Sequence, residues 1–352
     1  MGQRLVGLVP FHILPPRFGG AERSYHLLTR VGKIDIVALN WQGYSGEKVD
    51  GDVTYKLIAA SPKAVERAEK LRAHGVKTFD PMPMLTRSDL TELRDAIGKP
   101  DGIILEHPWL HPFANAPYIL DAHNAEAKLT AERWPGSVDA RAVYDLERQA
   151  VEGARAITYC SEADAKTLRA SYNITAPMHH IPNGQLPPTE TAHGQSNNLI
   201  FIGSVYEPNV RAAQALADLA RSLPDYKIQI LGKCAEYVKT DSPNVMLVGE
   251  VTEEQMHHYF VNAFAFVNLV SQGSGSHLKL ARALSYGLPI ITTDIGARGY
   301  DDLTIVSSAA DAIAAIRSTN FAAEKQNKLT QAKKLAWGSI GKKFRGVVSA
   351  AL

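Results

Sequence analysis

The residues with the most evident chemistry form a glycine- and serine-rich loop that runs into a basic helix pattern. The loop covers residues 273–277, follows an apolar strand pattern and is followed by Lys279. Backbone N–H groups at the start of a helix are unpaired and can bind an anion, and a lysine adds a point charge. The pattern therefore indicates a phosphate cradle, with a ligand-free turn capped by serine as the alternative. The candidate residues are Gly273, Ser274, Gly275, Ser276, His277 and Lys279.

Two further groups of candidate residues follow strand patterns in the first half of the chain. His107 and Trp109 come just after the apolar run at residues 102–105, and His123 comes just after residues 118–122. Open α/β sheets bind ligands beyond the carboxyl ends of their strands, so all three side chains are candidate ligand contacts. A buried structural histidine is the alternative at His107 and at His123.

The elements that must position these residues are alternating strands and helices. The alternation runs along the chain and is interrupted at residues 187–198, which are polar and aperiodic. It predicts an α/β protein with two doubly wound parallel-sheet domains. We place the first domain at residues 1–186, the linker at 187–198 and the second domain at 199–336. Residues 337–352 carry the apolar stripe of a last amphipathic helix.

Composition narrows the class of protein. The chain has 352 residues, which exceeds the usual size of one core, and a formal net charge of +2, which neither supports nor excludes a polyanionic partner. No dense Asp/Glu or Cys/His cluster argues for a metal, so we expect no metal and no other cofactor. The two distant cysteines and the lack of a long apolar run favour a cytoplasmic protein. A basic helix pattern at residues 62–77 leaves peripheral membrane contact open, with a solvated face as the commoner explanation.

The stretch GSGSHLKLARALSYGLPIITTDIGARG, residues 273–299, resembles the nucleotide-sugar site of family 4 glycosyltransferases. The glycine loop, a basic residue, a helix, a Gly-x-Pro and a strand follow in the family's order. The resemblance extends over most of the chain, because further family-like segments occur in the same order. These segments are Gly19-Gly20-Ala21-Glu22, Asp121-Ala122-His123-Asn124, Pro182-Asn183-Gly184 and Gly203-Ser204 with Pro208-Asn209-Val210.

This resemblance implies the GT-B fold, in which two Rossmann-like domains face each other across a cleft and the last helix crosses back onto the first domain. It also implies metal-independent transfer of a sugar from a nucleoside diphosphate sugar, with retention of anomeric configuration. The second domain would bind the donor, and the first would hold the acceptor. The implied catalytic residues are His123 and Glu22, and the implied acceptor-side residues are His107 and Trp109. Besides the cradle, the implied donor contacts are Gly19, Gly20, Gly203, Ser204, Arg211, Gly249, Glu250 and Arg282.

Two positions depart from the family pattern. Arg282 stands where the family has a glutamate that hydrogen-bonds the nucleotide ribose, and an arginine has only donors. Ser204 and Asn209 stand where many members have a basic pair at the diphosphate, which leaves the charge to Lys279, with Arg211 as a helper. These departures point to an unusual donor, an extra phosphate contact or a loss of transfer. A non-catalytic nucleotide- or glycan-binding protein is therefore the second hypothesis.

The acceptor is the least determined part of the expected reaction. The resemblance implies a surface glycan or lipid-linked sugar, as in polysaccharide biosynthesis. A phage-type enzyme that glycosylates modified DNA bases is the minority alternative, and a sugar-nucleotide epimerase of GT-B form is a weaker third. A nucleic-acid acceptor requires a basic surface on the first domain and salt-sensitive binding.

Overall fold

The computed structural model describes residues 3–16, 18–74, 80–136, 139–273 and 275–352. These residues form two compact units. The first comprises Met1–Pro182 and Ile340–Leu352, and the second comprises Asn183–Ser339. The segment predicted as a linker, residues 187–198, lies in the second unit, where Ala192 is fully buried in the core.

The first unit is built on an eight-stranded sheet in the order β3-β4-β2-β1-β5-β6-β7-β8. All neighbours are parallel except β3, which pairs antiparallel with β4 at one edge. The strands are β1 (Leu5–Val9), β2 (Ile34–Asn40), β3 (Gly46–Asp50), β4 (Val53–Ala59), β5 (Gly102–Glu106), β6 (Tyr118–Ala122), β7 (Ala156–Tyr159) and β8 (Met178–His180). Every residue of β5 and β6 is buried, as expected for central strands that helices cover on both faces.

In the described part of the chain, six helices connect these strands. They are α1 (Gly19–Leu28), α2 (Pro62–Ala73), α3 (Arg87–Ile97), α4 (Glu126–Arg133), α5 (Asp139–Glu152) and α6 (Glu162–Ser171), and a 3-10 helix covers Pro108–Phe113. Local sequence explains their starts: Ser61 caps α2 ahead of a proline, and Thr86 and Asp89 form a capping box on α3. The basic helix predicted at 62–77 is α2, which buries only Ala64 and Ala68, and its last predicted residues lie outside the described part of the chain.

The second unit contains a six-stranded, fully parallel sheet in the order β11-β10-β9-β12-β13-β14. Its strands are β9 (Asn198–Ile202), β10 (Lys227–Leu231), β11 (Val245–Gly249), β12 (Ala265–Asn268), β13 (Ile290–Thr292) and β14 (Thr304–Ile305). Its helices in the described residues are α7 (Glu207–Asp218), α8 (Glu253–Val261), α9 (Leu278–Ser285), α10 (Ala309–Ser318) and α11 (Phe321–Lys334). The last helix, α12 (Trp337–Ala351), starts in the second unit and belongs to the first unit from Ile340 onward. Two 3-10 helices cover Ala220–Ser222 and Lys233–Tyr237.

Both sheets place the carboxyl ends of their central strands at one edge. In the first unit, β5 and β6 end in register, with Glu106 opposite Asp121. In the second unit, β9 lies between β10 and β12, so the loops that follow these strands are neighbours. The predicted α/β class with two Rossmann-like parallel-sheet domains is confirmed. Among the helices of the described residues, none has the length and apolarity that a membrane span requires.

Candidate active site

Three glycines lie side by side at the carboxyl ends of β9, β10 and β11, and we call Gly203, Gly232 and Gly249 the glycine ridge. The N–H of Gly232 donates to the carbonyl of Gly249 at 2.6 Å, and the N–H of Cys234 donates to the carbonyl of Gly203 at 3.2 Å. Gly232 has a φ of +83°, and a Cβ there would lie 2.3 Å from the Gly203 carbonyl oxygen. Only glycine fits at Gly232, and the ridge presents backbone in place of side chains.

Lys279, on the first turn of α9, reaches back to the end of β9. Its Nζ donates to Oδ1 of Asn209 at 2.7 Å and lies 4.4 Å from the ring centroid of Phe201. Within the described residues, no carboxylate forms an ion pair with it. Burial lowers the pKa of Lys279 to about 7, against the opposing effect of the Cys234 thiol. A partly buried ammonium is therefore held at this point by a neutral amide and an aromatic ring.

The loop before α9 is fixed by two side chains that the sequence analysis did not select. Arg298 Nη1 donates to the carbonyl of Gly273 at 2.7 Å. Asn183 Nδ2 donates to the carbonyl and hydroxyl oxygens of Ser276 at 3.0 and 2.9 Å. Gly273 has a φ of +141°, which glycine alone adopts easily. Ser274, also predicted as a donor contact, lies outside the described residues.

His277 occupies the N-cap position of α9, and its side chain makes no capping hydrogen bond. Its Nδ1 lies 3.3 Å from Nδ2 of Asn268, and its carbonyl accepts from the Tyr300 hydroxyl at 2.9 Å. Burial, together with the charges of Lys279 and Arg298, lowers the pKa of His277 to about 3. The imidazole is therefore neutral at physiological pH. Gly275, two residues earlier in the loop, is buried with a φ of +72°.

Arg282 lies on the same helix as Lys279, one turn further along. Its Nη1 is 3.1 Å from Oε2 of Glu253, the first residue of α8, and also contacts Sδ of Met256. The Arg282 side chain is 17% exposed, whereas that of Glu253 is 79% exposed. The guanidinium is thus engaged with a carboxylate of the neighbouring helix.

The other predicted donor contacts of the second unit lie on exposed loop or helix surface. Arg211 pairs with Glu207 on its own helix at 2.5 Å, and Glu250 lies 3.5 Å from Nζ of Lys233. Ser204 is exposed directly after the glycine ridge residue of β9. Ion pairs between exposed side chains contribute little to stability, so these residues are available to a ligand.

In the first unit, His123 lies in a buried network of charged side chains. Its Nε2 is 2.8 Å from Oε2 of Glu106 and 3.2 Å from Oδ2 of Asp121. Ser24 donates to the same Glu106 oxygen at 2.6 Å, and Arg23 binds both oxygens of Asp121 at 2.7 and 2.8 Å. Burial opposes the charged imidazolium, but the two carboxylates overcome this and raise the pKa of His123 to about 9. His123 is therefore an imidazolium at neutral pH.

The same three residues could offer ligand atoms to a metal ion. The ligand atoms of Glu106, Asp121 and His123 lie within 4.8 Å of one another. However, Asp121 is bound by the Arg23 guanidinium, which holds the pKa of that buried carboxyl far below its usual range. A protonated imidazole has no lone pair to give. Together with Arg23, the three side chains form a buried ion-pair network.

His107 follows β5 with a φ of +67°, in the left-handed region that few residues other than glycine adopt. Its Nδ1 lies 2.8 Å from Oε1 of Glu126, and the amide of Asn124 donates to that same oxygen at 2.9 Å. Trp109, the other predicted acceptor-side residue, is buried, with its ring nearly parallel to His107 at 6.5 Å between centroids. The sequence analysis missed the Glu126 carboxylate that holds His107.

The predicted glycine pair forms the first turn of α1. The helix begins at Gly19 with Phe18 as an N-cap that makes no side-chain bond. A Cβ on Gly20 would lie 3.5 Å from Nδ1 of His123, so the structure brings these two predicted residues together. Glu22 lies half-buried on the same turn.

Sequence reasoning also missed Gly232, Arg23 and Glu106 as site residues. A signal for Gly232 was present, since a glycine follows or ends β9, β10 and β11 alike. Arg23 and Glu106 are sequence neighbours of the selected residues Glu22 and His107, but their pairing with distant residues has no local signal.

One family model matches a large part of the second unit. Residues 196–319 match the family model of glycosyl transferases group 1. This range contains the glycine ridge, Lys279 and Arg282. A search of curated proteins finds no match.

Solved structures extend the fold comparison to both units. A sucrose-phosphate synthase from Thermosynechococcus elongatus is 14% identical, with a TM-score of 0.72 over 99% of this chain and 100% of that one. An alpha,alpha-trehalose 6-phosphate synthase from Burkholderia multivorans is 12% identical, with a TM-score of 0.69 over 99% and 98%. The E. coli trehalose-6-phosphate protein bound with UDP-2-fluoro glucose is 11% identical, with a TM-score of 0.67 over 99% of each chain. The chain therefore has the GT-B fold, and its residues 196–319 are similar to the group 1 glycosyl transferases.

Proposed function

We propose that the protein transfers a sugar from a nucleoside diphosphate sugar to a hydroxyl acceptor, with retention of anomeric configuration and without a metal. The second unit binds the nucleotide diphosphate at the glycine ridge and Lys279. The first unit supplies His123 for the sugar. We propose a surface glycan or lipid-linked sugar as the acceptor, and a cytoplasmic location in which Cys160 and Cys234 stay reduced.

The observation that carries this proposal is the environment of Lys279. Its ammonium is partly buried against Asn209 and Phe201, with no ion-pair partner among the described residues. Burying a cation without a counter-ion is costly, and this cost is relieved when a bound anion supplies the negative charge. A diphosphate is an anion of suitable size and charge, and Lys279 lies at the start of α9, whose unpaired N–H groups favour anions.

The glycine ridge supports the same ligand. At Gly249 no atom lies within 4 Å of where a Cβ would be, so a phosphate can approach the backbone at the carboxyl end of β11, whereas Gly203 and Gly232 pack against Asn209 and against each other. One structure of the same fold contains UDP-2-fluoro glucose, which supports a nucleotide sugar as the class of donor. Positive charge at this position would stabilise the diphosphate as it departs.

The contacts of His123 support a role for this residue in sugar transfer rather than in binding alone. Its Nε2 is held by two carboxylates, and its Nδ1 lies beside Gly20. The imidazolium therefore offers a charged N–H donor next to the start of α1. A donor of this kind can stabilise charge that develops on the sugar or on its leaving group.

Non-catalytic nucleotide binding is the second candidate, and the Arg282–Glu253 pair favours it. That pair engages the side chain at the position where the resemblance implies a ribose contact. A site that has lost the geometry for sugar transfer would bind the nucleotide without turnover. Glycosylation of DNA bases remains the minority acceptor hypothesis.

The test is a panel of uridine, guanosine, adenosine and cytidine diphosphate glucoses, screened by thermal shift and then by release of the nucleoside diphosphate. We expect one nucleotide to raise the melting temperature, and Lys279→Ala to remove that shift. Lys279→Arg is the matched control, because it keeps the charge. The anomeric configuration of the product, read by proton NMR, tests retention. Binding without release would favour the non-catalytic candidate, and no binding by any member would refute the donor site.

A further inference from the structure

A set of hydrogen bonds at the carboxyl ends of β12 and β13 fixes one side of the His277 ring. Asn268 and Thr292, the last residues of these two strands, are opposite each other in the parallel register, and both are fully buried. Nδ2 of Asn268 lies 3.2 Å from Oγ1 of Thr292 and 3.3 Å from Nδ1 of His277. The Asn268 amide therefore links the end of the sheet to the loop before α9.

The Thr292 hydroxyl determines which way this amide points. A hydroxyl has one proton, and that of Thr292 is donated to the backbone carbonyl of Asn268 at 2.9 Å. The hydroxyl oxygen is then an acceptor toward the amide, so the amide atom that faces it is Nδ2 rather than Oδ1. Gly296 packs against the same amide, since a Cβ there would lie 2.6 Å from Nδ2 of Asn268. The amide is thus held from two sides.

This orientation has a cost at the other amide atom. Oδ1 of Asn268 is buried and has no hydrogen-bond partner in the described part of the chain. A buried acceptor without a partner is destabilising, and such atoms in folded proteins often belong to a functional arrangement. The arrangement here is the contact that Nδ2 makes with His277.

The orientation of the amide sets the tautomer of His277. Because Nδ2 of Asn268 is a donor, Nδ1 of His277 accepts, and the ring proton lies on Nε2. Burial and the charges of Lys279 and Arg298 lower the pKa of His277 to about 3, in agreement with a ring that carries one proton. Nε2 has no hydrogen bond to any described residue and is not fully buried. His277 therefore keeps one N–H donor open to a ligand.

This donor and the Lys279 ammonium lie at the same end of the sheet. His277 is the N-cap residue of α9, whose first N–H groups are unpaired, and its ring is anchored at the end of β12. The Lys279 ammonium is anchored 4.4 Å from the Phe201 ring of β9. β9 and β12 are paired neighbours, and adjacent strands lie about 4.8 Å apart. One diphosphate at the start of α9 is within reach of both groups.

We propose that Asn268 is a positioning residue that holds His277 as the Nε2–H tautomer, and that this N–H donates a hydrogen bond to the diphosphate of the sugar donor. This inference rests on the proposed function. Lys279 supplies charge, and His277 supplies a directed hydrogen bond without a second buried cation. Negative charge grows on the diphosphate as its bond to the sugar breaks, so this hydrogen bond strengthens in the transition state. In other enzymes a neutral imidazole at a helix N-terminus serves as a donor of this kind.

The tautomer can be measured without a ligand, by long-range proton–nitrogen NMR of the full chain with ¹⁵N-labelled histidine. The chain has 12 histidines, so His277→Gln is used to identify the resonances. We expect a protonated Nε2 and an unprotonated Nδ1 at pH 7. Asn268→Asp, which places an acceptor beside Nδ1, should bring a proton onto that nitrogen. Tyr300→Phe is the matched control, because it removes only the hydroxyl bonded to the His277 carbonyl and should leave the tautomer unchanged.

A second variant covers the case in which Asn268→Asp does not fold. Thr292→Val keeps the shape of the side chain but removes the hydroxyl that orients the amide, so the Nδ1–H tautomer of His277 should become populated. A wild type with the proton on Nδ1 would overturn the positioning role of Asn268. A tautomer that neither variant changes would overturn it as well.

Two amide variants test the hydrogen bond to the diphosphate. The amide nitrogen of glutamine reaches the position of Nε2 in a histidine ring, whereas that of asparagine reaches the position of Nδ1. The full chain is titrated with the diphosphates of uridine, guanosine, adenosine and cytidine. For the nucleotide that binds, we expect the Kd of His277→Gln to stay within about threefold of wild type and that of His277→Asn to rise roughly 10- to 100-fold. The Nε2 resonance of wild type should shift on binding.

The outcomes distinguish this inference from the proposed function. A wild type that binds none of the four nucleotides refutes the proposed function and the diphosphate contact with it, while the NMR measurement still decides the role of Asn268. A wild type that binds a nucleotide while its Nε2 resonance stays in place and His277→Asn keeps the wild-type Kd refutes this inference alone. The same holds if both amide variants lose affinity equally, because a donor at the Nε2 position would then not be what the diphosphate requires.

Discussion

The environment of Lys279 makes donor binding dependent on pH, and this dependence can be calculated. Burial lowers the pKa of Lys279 to about 7, so half of the free protein carries a neutral amine at that pH. A diphosphate binds the ammonium, because the amine lacks the charge that pairs with phosphate. The apparent dissociation constant is the intrinsic one divided by the protonated fraction. Donor binding should therefore take up a proton.

The expected magnitude follows from that fraction. Between pH 6 and pH 8.5 the protonated fraction falls from about 0.9 to about 0.03, so the apparent Kd should rise about thirtyfold. Neighbouring groups do not titrate in this range. Burial, with Lys279 and Arg298, holds the pKa of His277 at about 3, and burial raises the pKa of the Cys234 thiol to about 11. Lys279 alone should set the slope.

The assay is isothermal titration of the nucleotide sugar that the panel identifies, between pH 6 and 8.5, in wild type and Lys279→Arg. The arginine variant keeps its charge throughout and should show no rise. Calorimetry in two buffers of different ionisation enthalpy should also detect proton uptake near pH 8 in wild type. A wild-type slope equal to that of Lys279→Arg would refute a neutral Lys279 in the free protein.

The free energy of unfolding of the unligated protein should rise with pH, whereas donor affinity should fall. The unfolded chain keeps the lysine proton up to about pH 10.4. The folded protein releases it near pH 7. Between these values the unfolded state binds more protons, so the free energy of unfolding rises with pH relative to Lys279→Met. Chemical denaturation of both variants at pH 7 and pH 9 tests this sign.

Two further predictions concern stability. Gly232→Ala should destabilise the protein by more than about 2 kcal/mol in urea unfolding, because its Cβ would meet backbone at 2.3 Å. Gly249→Ala, with a similar φ of +77° but open space, should cost only about 1 kcal/mol, and equal losses would contradict this account. Arg23→Met should cost about 3 to 5 kcal/mol, since the buried Asp121 carboxylate loses its bidentate guanidinium partner and keeps only His123. Adding Asp121→Asn should recover part of that loss, and no recovery would mean that the pair is not the cause.

The sequence by itself determined the fold class and the location of the donor loop. The alternation of strands and helices can be read from the sequence because each element has its own local pattern of apolar residues. An anion site was indicated by the glycines and serines between β12 and α9, with Lys279 on the first turn of α9. Turn and helix-start chemistry of this kind is also local. The same is true of the glycines after β9 and at the end of β11, which the sequence analysis selected, while it passed over Gly232 in the equivalent position.

The tertiary structure decided which side chains meet. Glu106 faces Asp121 and His123 because β5 and β6 are neighbours in register, and Arg23 comes to the same point from α1. Arg282 engages Glu253 because α8 and α9 lie next to each other. Except for Asp121 and His123, which are close in sequence, these partners are separated by 15 to 98 residues of the chain.

Protonation states also depended on the tertiary structure. Whether a histidine is charged follows from its burial and from the carboxylates around it, and neither is a property of local sequence. His107 and His123 follow similar strand ends in the chain, yet burial and the neighbouring His123 lower the pKa of His107 in spite of Glu126, whereas Glu106 and Asp121 raise the pKa of His123 to about 9. Periodicity and turn chemistry are local, and the sequence carries them; pairing and electrostatics arise only when strand order and register bring distant residues together.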